Sequence, residues 1–191
     1  MNISEVKKVI RVGEIVLGSK KYNGNNYVFY DIALGFIYDE NFPKKLKNKY
    51  VALVYIFVVN GIIYKIGQSS CKTGISSCVG CYLKSGQDDP GINRFAINWF
   101  IRDEIKKGNK VEVFMIYKDL IETEVPGLFE NEIDEVAISA KKMEELCLKQ
   151  YLQREGCYPE WNYQESRRAL PSEITSAFGE YVNQRGKGRS N

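Results

Sequence analysis

Apolar positions along the chain follow two different periods. VALVYIFVV, residues 51–59, is nearly unbroken, stops at Asn60-Gly61, and resumes as IIYKIG. β-Branched and aromatic runs on either side of Asn-Gly predict a β-hairpin. VEVFMIY, residues 111–117, alternates and predicts a third strand. Ile92, Phe95, Ala96 and Trp99 recur at helical spacing after Pro90-Gly91, predicting a helix that ends at Gly108, with Arg94 and Asn98 on another face. A second, longer helix fits from about Glu130 to Glu155, with Val136, Ala140, Met143, Cys147 and Tyr151 on one stripe. Residues 69–91, rich in Ser, Gly and Cys, read as a long loop.

Strand, strand, helix, strand, helix is an α+β order. It predicts a small three-stranded antiparallel or mixed sheet flanked by helices, spanning residues 49–165. Residues 1–48 hold two shorter β-like runs around KKYNGNN and the charged connector DENFPKKLKNK, and predict a β-rich extension suited to DNA recognition or dimerisation. Residues 166–191 read as a basic tail.

The hairpin register decides which side chains meet. A two-residue loop at Asn60-Gly61 places Tyr55 opposite Ile66 and puts Tyr55 and Lys65 on opposite faces. A three-residue loop, Val59-Asn60-Gly61, with glycine in the left-handed region, places Tyr55 directly opposite Lys65. The second register gathers Val54, Ile56, Val58, Ile62, Tyr64 and Ile66 on one face, with Tyr55, Phe57, Ile63 and Lys65 on the other. It is therefore the expected one. A neighbouring ammonium favours the phenolate and lowers the tyrosine's pKa. A lysine that merely snorkels past a packed ring is the structural alternative.

Glu144 projects into the apolar stripe of the long helix. A buried carboxylate requires a cation or hydrogen-bonding partner. A metal ion would serve, as would an ion pair with Arg94 or Lys65.

Composition narrows the chemistry. The 191 residues are 44% hydrophobic and 27% charged, as expected for one soluble globular domain, and the net charge is +3. That charge is unevenly spread: Lys44, Lys45, Lys47 and Lys49 cluster, Arg167, Arg168, Arg185, Lys187 and Arg189 follow late, and residues 122–135 are strongly acidic. One face for a polyanion is the expectation. There is no histidine, which excludes Ser-His-Asp, Cys-His and HExxH chemistry. No segment has signal-peptide or membrane-spanning length, and five cysteines suit a reduced, cytoplasmic setting. Cys71, Cys78 and Cys81, with Cys157 as fourth ligand, form a thin zinc set lacking a second CxxC, so free thiols are expected.

Three pieces then fall in order: Tyr55 in VYIF, Lys65 in KIG ten residues on, and Pro159-Glu160-Trp161-Asn162 at the close. With the helix carrying Glu144 between them, they resemble the GIY-YIG nuclease superfamily. They are most similar to its small type II restriction endonucleases, in which the second tyrosine is a lysine. The likeness covers roughly residues 51–163. It implies a Mg²⁺-dependent endonuclease, with Mn²⁺ able to substitute, acting on double-stranded DNA as a homodimer. Tyr55 would be the general base or would orient the attacking water, and Lys65 would tune it. Glu144 would hold the metal, Arg94 (Arg102 as fallback) would stabilise phosphate charge, and Asn162 would support the site. Homing, phage-borne and repair nucleases share that core, and a catalytically degenerate DNA-binding module is the non-enzyme alternative.

Overall fold

The computed structural model describes residues 1–18, 32–69, 72–84 and 90–188, with side chains up to residue 184. KKYNGNN, Cys71 and Arg189 lie outside the described residues, as do the side chains of Arg185 and Lys187.

Five strands form one antiparallel sheet in the order β2-β1-β5-β3-β4: β1 (Ile10–Leu17), β2 (Leu34–Tyr38), β3 (Ala52–Val59), β4 (Ile62–Ser69) and β5 (Val111–Lys118). The sheet is larger than the three strands expected, because two strands from the first 48 residues continue it beyond β5. β3 and β5 are covered on both faces, which is why VALVYIFVV shows no alternation: all eight residues of β3 are buried.

Helices α1 (Gly74–Leu83) and α2 (Ile92–Lys106) cover one face, packing Ile75, Val79, Ile97 and Ile101 against Leu53, Tyr55 and Phe57. α3 (Ala140–Glu155) covers the other, setting Leu148 and Tyr151 on Val54, Ile56 and Ile66. A short helix, α4 (Tyr163–Ser166), follows the Pro159–Asn162 turn. The stretch expected as a basic tail forms α5 (Ser172–Gly188), whose Ile174, Ala177 and Tyr181 pack on Phe95 and Ala96 of α2.

Two expectations are corrected. The segment read as a long loop contains α1, whose apolar positions Ile75, Cys78 and Val79 lie one helical turn apart and are buried. The long helix begins at Ala140, not near Glu130. Ser139 caps it, its hydroxyl accepting from the Lys142 N–H at 3.1 Å, and Gly156 ends it at φ 72°. Residues upstream form an exposed acidic hairpin instead, β6 (Ile121–Pro126) with β7 (Asn131–Val136).

The hairpin register also differs. Asn60 (φ 47°) and Gly61 (φ 83°) both lie in the left-handed region and make a two-residue loop, with Val59 opposite Ile62. Asn60 is held there from outside the hairpin: its Oδ1 accepts from the Lys110 N–H at 2.9 Å and its Nδ2 donates to Asn109 Oδ1 at 2.8 Å. A bulge then intervenes, since Val58 faces Ile63 while Phe57 faces Lys65. Tyr64 is the extra residue. Tyr55 consequently faces Gly67, and Lys65 lies diagonally from it on the same face. Ile63 joins the face of Val54 and Val58, and Tyr64 joins the face of Phe57, the reverse of the expectation.

Candidate active site

At the end of β3 and β4 away from the turn, a cleft of about 350 Å³ is lined by Tyr55, Lys65, Gln68, Tyr82, Arg94, Glu144 and Glu165. Four of the five residues singled out in the sequence therefore meet around one space. β3 supplies Tyr55, β4 supplies Lys65 and Gln68, the first turn of α2 supplies Arg94, and α3 supplies Glu144.

Asn162, the fifth, lies beneath. It is fully buried, accepts from the Ile66 N–H at 2.9 Å and donates to the Ile66 carbonyl at 2.8 Å. Ile66 sits between Lys65 and Gly67, so this paired bond clamps the strand that carries the site. Trp161, one residue earlier, donates its backbone N–H to the Tyr64 carbonyl at 2.7 Å and sets its ring edge-on to Tyr64 at 5.2 Å. The Pro-x-x-Asn turn thus closes the outer edge of β4.

The phenol does not sit beside the lysine as a lowered-pKa pair. Tyr55 is only 5% exposed, and burial pushes its pKa well above the ordinary value, with Tyr82 adding to the rise. Its hydroxyl shares a hydrogen bond with that of Tyr82. Gly67 has no side chain because there is no room: a Cβ there would lie 2.8 Å from Tyr55 Cε2 and overlap the hydroxyl end of the ring.

Lys65 is 8% exposed. Burial lowers its pKa, while Glu165 and then Glu144 oppose that shift. Glu144 is half-buried on the face of the helix that carries buried Ala140, Leu148 and Tyr151, one turn from the first two. Burial raises its carboxyl, Glu165 raises it further, and Lys65 and the Gln68 backbone N–H hold it down. Arg94 is exposed at the rim. Arg102, its fallback, does not line the cleft; it is buried in α2, donating to Asn98 Oδ1 at 2.8 Å and to the Ile32 carbonyl at 2.7 Å.

Sequence reading missed Tyr82 and Glu165. Tyr82 falls in the segment read as a loop, so no helical face was assigned to it. Glu165 stands three residues after Asn162, on α4, and Glu165 Oε2 is a buried oxygen without a hydrogen-bond partner among the described residues. Two carboxylates facing one polar cleft, one with an unsatisfied oxygen, fit a hard divalent cation. Mg²⁺ takes one or two protein carboxylates and keeps most of its water. No group of three or more Cys, Asp or Glu side chains among the described residues is placed to hold a metal ion. Cys78 is buried within α1, whereas Cys81 and Cys157 are exposed.

No protein family and no curated protein matches the sequence. Among solved structures, a glutamate-to-alanine mutant of bacteriophage T4 EndoII aligns with a TM-score of 0.52 at 17% identity, over 85% of this chain and 98% of that one. The chain shares the EndoII fold. A restriction endonuclease in complex with product DNA aligns at a TM-score of 0.42 and 20% identity, over 83% of this chain and 84% of that one. The alignment with EndoII extends over nearly the whole of that protein, so the common fold includes more than the hairpin and its helices. No helix among the described residues is long and apolar enough to cross a membrane.

Proposed function

We propose that this protein is a Mg²⁺-dependent DNA endonuclease of the GIY-YIG type, working as a type II restriction enzyme. The observation that carries the reading is the convergence of Tyr55, Lys65, Arg94 and Glu144 on one cleft, with Asn162 clamping the strand beneath. The fold shared with phage T4 EndoII supports the same chemistry.

Each residue has a role its environment suits. Tyr55 stays a neutral phenol at ordinary pH because it is buried, so it serves as the hydrogen-bonding group that orients the attacking water, not as a phenolate base. Lys65 and Arg94 place positive charge around the phosphate, Arg94 from the rim and Lys65 from the floor. Glu144, with Glu165 beside it, would hold the cation, which supplies charge neutralisation at the phosphate when bound. Water oxygen bonds to phosphorus as the phosphorus–oxygen bond to the leaving strand breaks. Exposed Lys44 and Lys45, on a turn anchored by buried Phe42 and Leu46, suit contact with the DNA backbone. Cutting both strands of a palindrome calls for a homodimer.

Incubating purified protein with mixed plasmid and phage DNA, with and without Mg²⁺, tests the reading. Discrete Mg²⁺-dependent fragments are expected. Binding without cleavage in either Mg²⁺ or Mn²⁺ refutes the nuclease and leaves a DNA-binding module.

A further inference from the structure

Arg102, Asn98 and Tyr82 are polar groups in or beside the core that the reaction as described does not use. They form one string ending on the phenol. Arg102 Nε donates to Asn98 Oδ1 at 2.8 Å, Asn98 Nδ2 donates to the Tyr82 carbonyl at 2.6 Å, and the Tyr82 hydroxyl meets that of Tyr55. Arg102 is 5% exposed and Asn98 fully buried, so the string runs through protein, not solvent. It also ties α2 to the last turn of α1 and fixes where that turn ends. The Tyr82 ring is locked from the side, edge-on to Phe57 at 5.2 Å and 88°.

We propose that Tyr82 is the positioning residue that aims the Tyr55 hydroxyl, with Asn98 and Arg102 holding Tyr82 in place. The inference deepens the nuclease reading and rests on it for its catalytic consequence. Two hydroxyls that share one hydrogen bond have a single donor between them, and the choice of donor decides what the other oxygen presents to the cleft. To orient a water as acceptor, Tyr55 must turn its lone pairs to the cleft and its proton away. Tyr82 is the acceptor that takes that proton: with Tyr55 donating to Tyr82, the Tyr55 oxygen faces the cleft ready to accept from water. Without Tyr82, the Tyr55 proton is free to swing into the cleft and donate to whatever binds there.

Tyr82→Phe tests this while keeping the ring. Two readouts are taken on the full-length protein. Hydroxyl-proton exchange of Tyr55, read at the Cζ resonance of ¹³C-labelled tyrosine, should be slow in the parent protein. Loss of one hydrogen bond should speed it by about a factor of 10 in the variant. Under Mg²⁺ with plasmid DNA, kcat should fall by about 10² with KM little changed, the pattern of a misaimed group. Asn98→Asp keeps the Arg102 contact and removes the donor to Tyr82; it should shift exchange in the same direction by a smaller factor. Unchanged Tyr55 exchange in Tyr82→Phe overturns the proposal, as does unchanged kcat in a protein that cuts. Should the parent protein cut no DNA, the nuclease reading fails on its own, and the exchange measurement still decides whether Tyr82 aims Tyr55.

Discussion

Replacing Asn162 with Ala should remove most of the clamp on β4. Asn162 supplies both an acceptor and a donor to the same buried residue, with bonds of 2.9 and 2.8 Å to the Ile66 N–H and carbonyl. Neither backbone group gains water when the side chain goes, because Asn162 is fully buried and Ile66 is 2% exposed. Leaving a buried donor and a buried acceptor unmet costs about 1–3 kcal/mol each, so the variant should lose roughly 2–6 kcal/mol. That is a large share of the 5–15 kcal/mol typical of a domain. Urea unfolding followed by far-UV circular dichroism measures it, with an unchanged slope and a lowered midpoint expected. Asn162→Asp adds a sign test. It keeps the acceptor for Ile66 N–H but buries a carboxylate, so its folded-state pKa is raised above the ordinary value of about 3.9. Its stability should therefore fall as pH rises through and above that value, and recover on acidification, when the protonated acid again offers a donor. A loss under about 1 kcal/mol for Asn162→Ala would refute the clamp, since a single exposed bond costs that much.

Further tests address the cleft itself. Glu144→Gln should abolish Mg²⁺-dependent cleavage and also stabilise the metal-free fold near neutral pH. Because the folded-state carboxyl is raised, wild-type stability drops as pH rises through the window above 4.5, and the variant escapes that drop; thermal melts from acid to neutral pH with no gain for the variant would contradict this. Mg²⁺ should raise the melting temperature of wild type and not of Glu144→Gln. Gly67→Ala should displace the Tyr55 ring and cost about 1–3 kcal/mol by overpacking, checked by thermal melts and by the Tyr55 Cζ resonance, which an accommodated methyl would leave unmoved. Asn60→Ala removes its side-chain bonds to Asn109 and Lys110 and a favourable left-handed residue, and should destabilise by about 1 kcal/mol in chemical denaturation.

Much of the core was legible because its signals are local. Asn60-Gly61 between β-branched runs marks a hairpin wherever it occurs, and the Ile92–Lys106 helix carries its own turn signals at Pro90-Gly91 and Gly108. The expectation that Tyr55 and Lys65 share a face agrees with the structure, but through the wrong turn. The register was read as a three-residue loop, whereas the shift comes from Tyr64, whose ring and carbonyl are engaged by Trp161. That contact joins residues far apart in sequence, and no window on the hairpin contains it. α1 was illegible for a related reason: its Ser, Gly and Cys content favours turns, and Ile75 and Val79 become helical by docking on the sheet. Glu122–Glu135 misled in the other direction. Among the described residues its strands pair only with each other, and they bury almost nothing, so neither period was strong enough to read. Helical projection put Glu144 on the face of buried Ala140, Leu148 and Tyr151, where it lies; that it is only half-buried there reflects the cleft opening beside it, which projection does not contain.

The bulge at Tyr64 makes the tolerance of β4 to changes in length one-sided. Side chains along β4 can be exchanged one at a time, and the strand still presents Lys65 and Gly67 toward Tyr55. Deleting a single residue between Gly61 and Lys65 would be absorbed by closing the bulge, leaving Lys65 opposite Phe57 and Gly67 opposite Tyr55 at the cost of the Tyr64 contacts with Trp161. Deleting Ile66 has no such outlet: it would turn Gly67 toward the α3 face and leave the Asn162 clamp gripping a different residue. The strand therefore has one residue to spare on the turn side of Lys65 and none beyond it, so the spacing the site depends on is the short one from Lys65 to Gly67.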